Sequence, residues 1–278
     1  MKKLRITVLA ENTVRKKGLL AEHGFALWVE IGERKILFDT GVGKVIGNNA
    51  AVLGFDLAEA STVVLSHGHY DHTGGLPEVC DRATGMLTVY AHPAAFMPKY
   101  SRHPDGMHDI AMPPAAKKAV NQRAEIKLNK QPVEIHSGFH LSGEIPRETD
   151  FEDTGGAFFL DAEGQTPDLL IDDQSAFVDT PSGLVVILGC AHSGVVNTLR
   201  QIRRLTGDRP VHAVIGGMHL GSATDHRMNQ TIAEFEKLGI QHLFPAHCTG
   251  FEASARLWNK FGKSCSPCSV GIVFEFDC

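Results

Sequence analysis

Residues 63 to 76 read VVLSHGHYDHTGGL. An apolar, β-branched run ends at Ser66, and three histidines and an aspartate follow between His67 and His72. The run predicts a buried strand, and the polar cluster marks its functional edge. His67 and His69 stand two residues apart, so in extended backbone both rings project to one side, while Asp71 and His72 follow as the chain turns. Imidazole nitrogens and carboxylate oxygens are the donors that zinc and similar divalent ions prefer. One short segment can therefore serve two neighbouring ions, and mostly neutral donors leave the ions' charge uncompensated, which attracts anions and acidifies bound water. With fifteen histidines in the chain some are ordinary surface or core residues. Four candidate ligands in six positions at a strand end are not explained that way.

The same pattern, an apolar run closing on Gly, His, Asp or Thr, recurs in RKILFDTG (34–41), GLVVILGCAHSG (183–194), VHAVIGGMHL (211–220) and HLFPAHCTG (242–250). Each predicts a buried strand that delivers polar residues at its end. Between the later ones, VVNTLRQIRRLTG places Val196, Leu199, Ile202 and Leu205 on one helical face, and MNQTIAEFEKLG does the same with Ile232, Phe235 and Leu238. Both close on a glycine, Gly207 and Gly239. A strand-helix-strand-helix-strand rhythm from about 184 to 250 implies a layered α/β architecture with functional groups gathered at one edge of the sheets. The amino-terminal third is richer in strands, beginning with MKKLRITVLA, and HGFALWVEIGERKILFDTG reads as a hairpin turned at Gly32 and Glu33. From about Pro93 to Asp150 periodicity is lost among Pro, Met and His, which predicts an irregular insert acting as a lid over the site.

The segment His67-Gly-His69-Tyr-Asp71-His72 resembles the H-x-H-x-D-H signature of the metallo-β-lactamase superfamily, LFDTG (37–41) its early Asp motif, and PAHCTG (245–250) its final metal-binding histidine. That resemblance implies an α/β, four-layer αβ/βα sandwich formed as one domain by residues 1–278. It also implies His67 and His69 on one metal, with Asp71, His72 and His247 on the other. Asp71 would also move a proton, and Asp39 would sit behind the histidine motif. Superfamily members carry a further histidine and then a Gly-Asp whose carboxylate bridges the metals. Here the comparable strand end reads Gly189-Cys190-Ala191-His192. His192 is the best remaining ligand. His219, in GGMHL, reaches either the ions or a substrate phosphate, or serves as a capping residue. EHGFALWVE, SHGHYDHTGGL, GCAHSGVVNTL, GGMHL and PAHCTG together resemble the methanopterin-pathway dihydropterin-ribofuranosylaminobenzene phosphate synthases and their uncharacterised relatives. The implied cofactor is a pair of divalent ions, zinc first, with manganese, iron or magnesium as alternatives.

Cys190 and Cys248 adjoin His192 and His247, but neighbouring side chains on a strand face opposite ways, so both read as buried small hydrophobes. Cys265 and Cys268 form a lone C-x-x-C, a redox pair or half a metal site, and are more simply plain thiols near a final strand. Six scattered cysteines do not make a secreted disulfide scaffold. A formal net charge of -5 and no basic run argue against nucleic acid. No stretch approaches the ~20 apolar residues of a membrane span, and the start lacks a cleavage pattern, so the expected location is the cytoplasm. The expected partner is an anionic small molecule.

Three function classes remain open on the sequence. The first is a metal-dependent hydrolase of esters, thioesters, lactones or phosphodiesters, or a synthase-like transferase joining a pterin methyl diphosphate to an aminobenzene ribonucleotide. Candidates for its substrate contacts lie in the insert (Phe96, Tyr100, Arg102, His103, Lys117, Lys118 and Arg147), but each residue type is more often ordinary surface, so the expectation is only that the insert shapes the pocket. The second is a diiron oxidoreductase, against which His69 counts, since such proteins carry a glutamate at that place. The third is a non-catalytic metal-binding or redox module.

Overall fold

The structure is a computed structural model that describes residues 3–136 and 138–278. Its first half runs β1 (Lys3–Ala10), β2 (Ala26–Ile31), β3 (Arg34–Phe38), α1 (Ile46–Leu53), β4 (Thr62–Val64), α2 (Tyr70–Thr73), α3 (Leu76–Arg82), β5 (Leu87–Ala91), β6 (Tyr100–His103), β7 (Gly106–Asp109), α4 (Pro114–Arg123) and β8 (Ala124–Leu128). Its second half runs β9 (Val133–His136), β10 (Phe139–Leu141), β11 (Phe158–Phe159), β12 (Ala176–Thr180), β13 (Gly183–Leu188), α5 (Val195–Leu205), β14 (Val211–Gly217), α6 (Asp225–Leu238), β15 (His242–Ala246), α7 (Phe251–Phe261) and β16 (Val273–Asp277). Met1 and Lys2, quoted with the first strand, lie outside the described residues.

Two sheets face each other. One has the order β16-β1-β2-β3-β4-β5-β8 and the other β15-β14-β13-β12-β10-β9. The alternation of each strand divides its side chains between two cores. Leu4, Ile6, Val8, Leu27, Val29 and Ile36 from the first sheet meet Phe139, Val178, Val185, Ile187 and Ile215 from the second in one buried cluster. The opposite face of the first sheet, with Trp28, Leu37, Val63 and Val89, packs on Ile46, Ala50, Val79 and Val120 of α1, α3 and α4. The opposite face of the second, with Leu184, Val186, Leu188 and Val214, packs on Val196, Leu199, Ile202, Phe235 and Leu257 of α5, α6 and α7. The stacking is therefore helix, sheet, sheet, helix, the four-layer αβ/βα sandwich.

Local signals account for the elements that carry the site. β2 and β3 pair antiparallel with Ile31 opposite Arg34, a two-residue turn at Gly32 and Glu33. Helix α6 opens with the Thr224 hydroxyl accepting from Arg227 N and closes on Gly239 in the left-handed conformation at φ 65°. Helix α5 buries Val196, Leu199 and Ile202 as the spacing predicts, but Leu205 at its last position is 40% exposed, because the helix ends there and the chain turns away. The β13-α5-β14-α6-β15 run is parallel throughout.

The segment 93–150 departs from the expected irregular insert. Residues 114–128 form α4 and β8, which extend the first sheet beside β5, and residues 133–141 form β9 and β10 at the edge of the second. β6 and β7 form a separate three-stranded sheet with β11, and Ser101, Arg102 and His103 of β6 and Phe158 of β11 line the cavity at the site. The sequence hid α4 because Pro113 and Pro114 stand at its start, where proline is tolerated, and because only Ala116 and Val120 of its side chains are buried.

Candidate metal centre

The site lies where the parallel strands β3, β4, β13, β14 and β15 end. Asp39 follows β3, His67 to His72 follow β4, Cys190 and His192 follow β13, His219 follows β14 and His247 follows β15. Carboxyl ends of parallel strands open into a crevice, which explains why one edge collects so many polar groups. The backbone there is forced: Asp39, Ala191, His219 and His247 all have positive φ, at 57°, 53°, 45° and 49°. Non-glycine residues adopt this region at an energetic cost, and they concentrate at functional sites.

His67 is the hub. Its ring centroid lies 4.5 Å from that of His69, 4.2 Å from His72 and 4.9 Å from His192. The donor atoms of His67, His69 and His192 all lie within 4.8 Å of one another, as do those of His67, His72 and Cys190, of Cys190, His247 and Cys248, and of His23, Asp71 and His247. Asp71 Oδ2 is 3.2 Å from His247 Nε2 and 3.9 Å from His72 Nε2. The structure thus brings together His67, His69, Asp71, His72, His192 and His247. His219 stands beside them, with its ring 4.3 Å from that of His192 and outside the four donor sets.

Buried groups behind the rings set their orientation. Asp39 Oδ2 bonds His72 Nδ1 at 2.7 Å and accepts from the Ser66 hydroxyl at 2.6 Å, and that hydroxyl bonds His67 Nδ1 at 2.9 Å. One carboxylate therefore orients two rings, one directly and one through a serine. His192 Nδ1 donates to the Thr154 carbonyl at 2.9 Å, and His247 Nδ1 bonds Asn12 Oδ1 at 2.8 Å. Gly68 N donates to Asp172 at 2.8 Å, and Asp172 with Asp168 holds the buried Lys99 ammonium at 2.8 and 2.9 Å. Gly68 has no alternative in this packing, since a Cβ there would lie 2.1 Å from the Ala95 carbonyl oxygen.

The electrostatics suit a cation. Burial, and then the neighbouring rings, hold His67 and His192 well below the ordinary histidine value. Burial lowers His69 to about 3 and His219 to about 4. These imidazoles are neutral, with lone pairs available. Burial opposes the charge on Asp71, but His72, His247 and His69 outweigh it and keep the carboxylate ionised. Burial also pulls His72 down, but Asp39 and Asp71 more than offset it and leave its value raised. His69 Nε2, His192 Nε2 and His219 Nδ1 are buried without a hydrogen-bond partner. Burying a polar atom unpaired is costly, and three orphaned imidazole nitrogens converging on one cavity fit a metal.

That cavity has a volume of about 360 Å³ and is lined among others by His23, Tyr70, Arg102, His103, Phe158 and Cys190. Phe158 closes it from β11, its ring 5.4 Å from His69 and 5.3 Å from His192. Of the candidate contacts from the insert, Arg102 and His103 are at the cavity, while Phe96, Tyr100, Lys117 and Lys118 are not among its lining residues. Phe96 packs on the helical core, and Arg147 instead braces the site by donating to the His192 carbonyl at 2.9 Å.

Sequence reasoning missed several groups. His23 reaches Asp71 Oδ2 at 3.4 Å, and its place in EHGFALWVE was the only signal. Cys190 is not a small hydrophobe facing away. Its thiol lies 3.2 Å from His72 Nε2, and standing two residues from His192 it faces the same cavity, as alternation of side chains itself requires. Cys248 lines the cavity too. Asp173 carries an orphaned oxygen beneath the His192 loop, and burial pushes its carboxyl up to about 6. Cys265 and Cys268 are plain thiols: they are unbonded and buried in different apolar clusters.

The sequence model of the Metallo-beta-lactamase superfamily matches residues 20–209. The 7,8-dihydropterin-6-methyl-4-(beta-D-ribofuranosyl)-aminobenzene-5'-phosphate synthase of Methanocaldococcus jannaschii is 28% identical over 266 residues, 92% of this chain and 90% of its own. An uncharacterised protein of the same organism is 31% identical over 252 residues, 91% of this chain and 93% of its own. The crystal structure of Tm1679, a metal-dependent hydrolase of the beta-lactamase superfamily, aligns with a TM-score of 0.84 at 31% identity, covering 99% of this chain and 100% of that one.

Proposed function

The chain belongs to the metallo-beta-lactamase superfamily, and from that premise we propose that it is a metal-dependent enzyme with a dinuclear centre that cleaves an anionic small molecule by hydrolysis. The observation that carries this reading is the chain of donor sets that share members, from His69 and His192 through His67 to His72 and Cys190 and on to His247 and Asp71, with His69, Asp71, Cys190, His192 and His247 lining one cavity. His67, His69 and His192 would hold one ion, and His72, Asp71 and His247 the other. Divalent ions held there would supply Lewis acidity toward the scissile group.

The chain's own residues divide the remaining work. Arg102 and His103 at the cavity mouth give an anionic substrate its electrostatic partners. His219, neutral and with Nδ1 unpartnered, can donate to or accept from a substrate oxygen. Asp71, ionised and aligned by His247 Nε2, can receive a proton at Oδ2. Phe158 keeps bulk water from the inner rings. A cavity of this size accommodates a small metabolite rather than a polymer.

Metal-replete protein should release product from a panel of phosphodiesters, pyrophosphates, thioesters and lactones, lose that activity to a chelator and regain it with zinc. Elemental analysis should find more than one transition-metal ion per chain. A ratio of one, unchanged by added zinc or manganese, would remove the dinuclear centre.

A second reading is supported by the synthase relative and by the half-buried Phe158 ring in the cavity lining, an aromatic surface against which a pterin can pack. In it the aminobenzene ring of a ribofuranosylaminobenzene phosphate would displace diphosphate from a dihydropterin methyl diphosphate in the same cavity. Mass spectrometry of the coupled product separates it from hydrolysis.

A further inference from the structure

The donor sets share members in a fixed sequence. His67 belongs to the set with His69 and His192 and to the set with His72 and Cys190, and Cys190 belongs in turn to the set with His247 and Cys248. Sulfur thus stands between the inner imidazoles and the outer ones. The Cys190 thiol lies 3.2 Å from His72 Nε2, the Cys248 thiol lies 3.7 Å from the Cys190 carbonyl oxygen, and both line the cavity with the histidines. The fold makes room for them: a Cβ on Gly217 would come within 2.6 Å of Cys248 Sγ. His247 Nδ1 is taken by Asn12, which leaves Nε2 as the donor atom on this side. Cys80, Cys265 and Cys268 are instead buried in apolar clusters.

We propose that Cys190 and Cys248 bind metal as a thiolate pair together with His247, so that the second ion position is a sulfur-nitrogen site rather than one of imidazole and carboxylate alone. This deepens the reading of the cavity as a metal centre and rests on it. Each thiol gives up its proton to solvent as it binds. Asp71 then remains an acceptor at the cavity wall rather than a required ligand. Thiolate donors select zinc, cobalt(II) or cadmium over magnesium and manganese, so the proposal also names the class of ion.

Cobalt(II) is the probe, because a sulfur-bound cobalt ion absorbs in the near ultraviolet by charge transfer while nitrogen- or oxygen-bound cobalt shows only its weak visible bands. Cobalt-loaded wild-type protein should show the charge-transfer band, Cys190→Ser and Cys248→Ser each a weaker one, and the double variant none, with the visible bands of the His67, His69 and His192 site retained in all. Visible bands without charge transfer in the wild-type protein would overturn the thiolate pair and leave the metal centre standing. A band that survives in the double variant would overturn it equally. Failure of the wild-type protein to retain cobalt at all would remove the metal centre itself and the pair with it. The wild-type spectrum decides even where a variant does not fold.

Discussion

Asp39 and His72 meet at 2.7 Å with both side chains wholly buried, and the same carboxylate reaches His67 through the Ser66 hydroxyl. Two of the inner rings therefore take their orientation from one residue on a different strand.

Asp39→Asn keeps the volume and the left-handed backbone, which asparagine tolerates, but replaces one acceptor oxygen with a donor. Metal affinity should fall by about 10- to 100-fold, the usual cost of losing an orienting carboxylate. Competition against a metallochromic indicator measures it, and an unchanged affinity would show that Ser66 and packing suffice.

His192→Ala removes an imidazole whose Nδ1 is already bonded to Thr154 and whose Nε2 faces the cavity. Metal content and turnover should both drop while the far-ultraviolet circular dichroism is kept. Wild-type metal content in this variant would take His192 out of the centre.

Lys99→Met strands the Asp168 and Asp172 carboxylates in the interior. Removing one partner of a buried ion pair costs about 3–5 kcal/mol. Chemical denaturation should show a loss of that order, and because Asp172 also holds Gly68, metal affinity should weaken alongside.

Gly155→Ala would set a Cβ 1.9 Å from His219 Nδ1, at a residue whose φ of 81° already disfavours a side chain. His219 must move. Lower turnover with unchanged metal content is expected, and loss of metal instead would make His219 a ligand.

For the metal-free protein the sign of the pH dependence follows from the lowered rings. The unfolded chain protonates His67, His69, His192 and His219 near their ordinary value of 6.5, whereas the folded chain resists until about 3 for His69 and about 4 for His219. More protons on the unfolded state mean stability lost as pH falls through this window. His72 runs the other way: its raised value gives stability that is complete below 6.5 and is lost as pH rises through the folded value. Four lowered rings oppose two groups, His72 and Asp173, whose carboxyl takes up its proton near 6 in the folded state, so urea midpoints of chelated protein should fall between pH ~7 and ~5. Midpoints that climb on acidification would contradict this balance.

The strand-end pattern made the sandwich legible, because alternation and helical spacing report on burial and the buried faces are what define the four layers. His67, His69, Asp71 and His72 were legible because they are contiguous. Cys190 was misplaced because alternation opposes only immediate neighbours: it stands two residues from His192, so the two share a face and line the same cavity. Lys99, Asp172 and His23 act through contacts with distant residues, and such pairings leave no local period. The helix α4 was obscured by its own prolines and by its mostly exposed surface.

His247 N donates to Glu11 across a sequence separation of 236 residues, and the ring's partner Asn12 lies beside it. The segment that follows β1 thus holds the candidate ligand that follows β15. His67, His69, Asp71 and His72 arrive in one contiguous stretch, whereas the outer donor set depends on Glu11, Asn12 and His247 meeting across the fold.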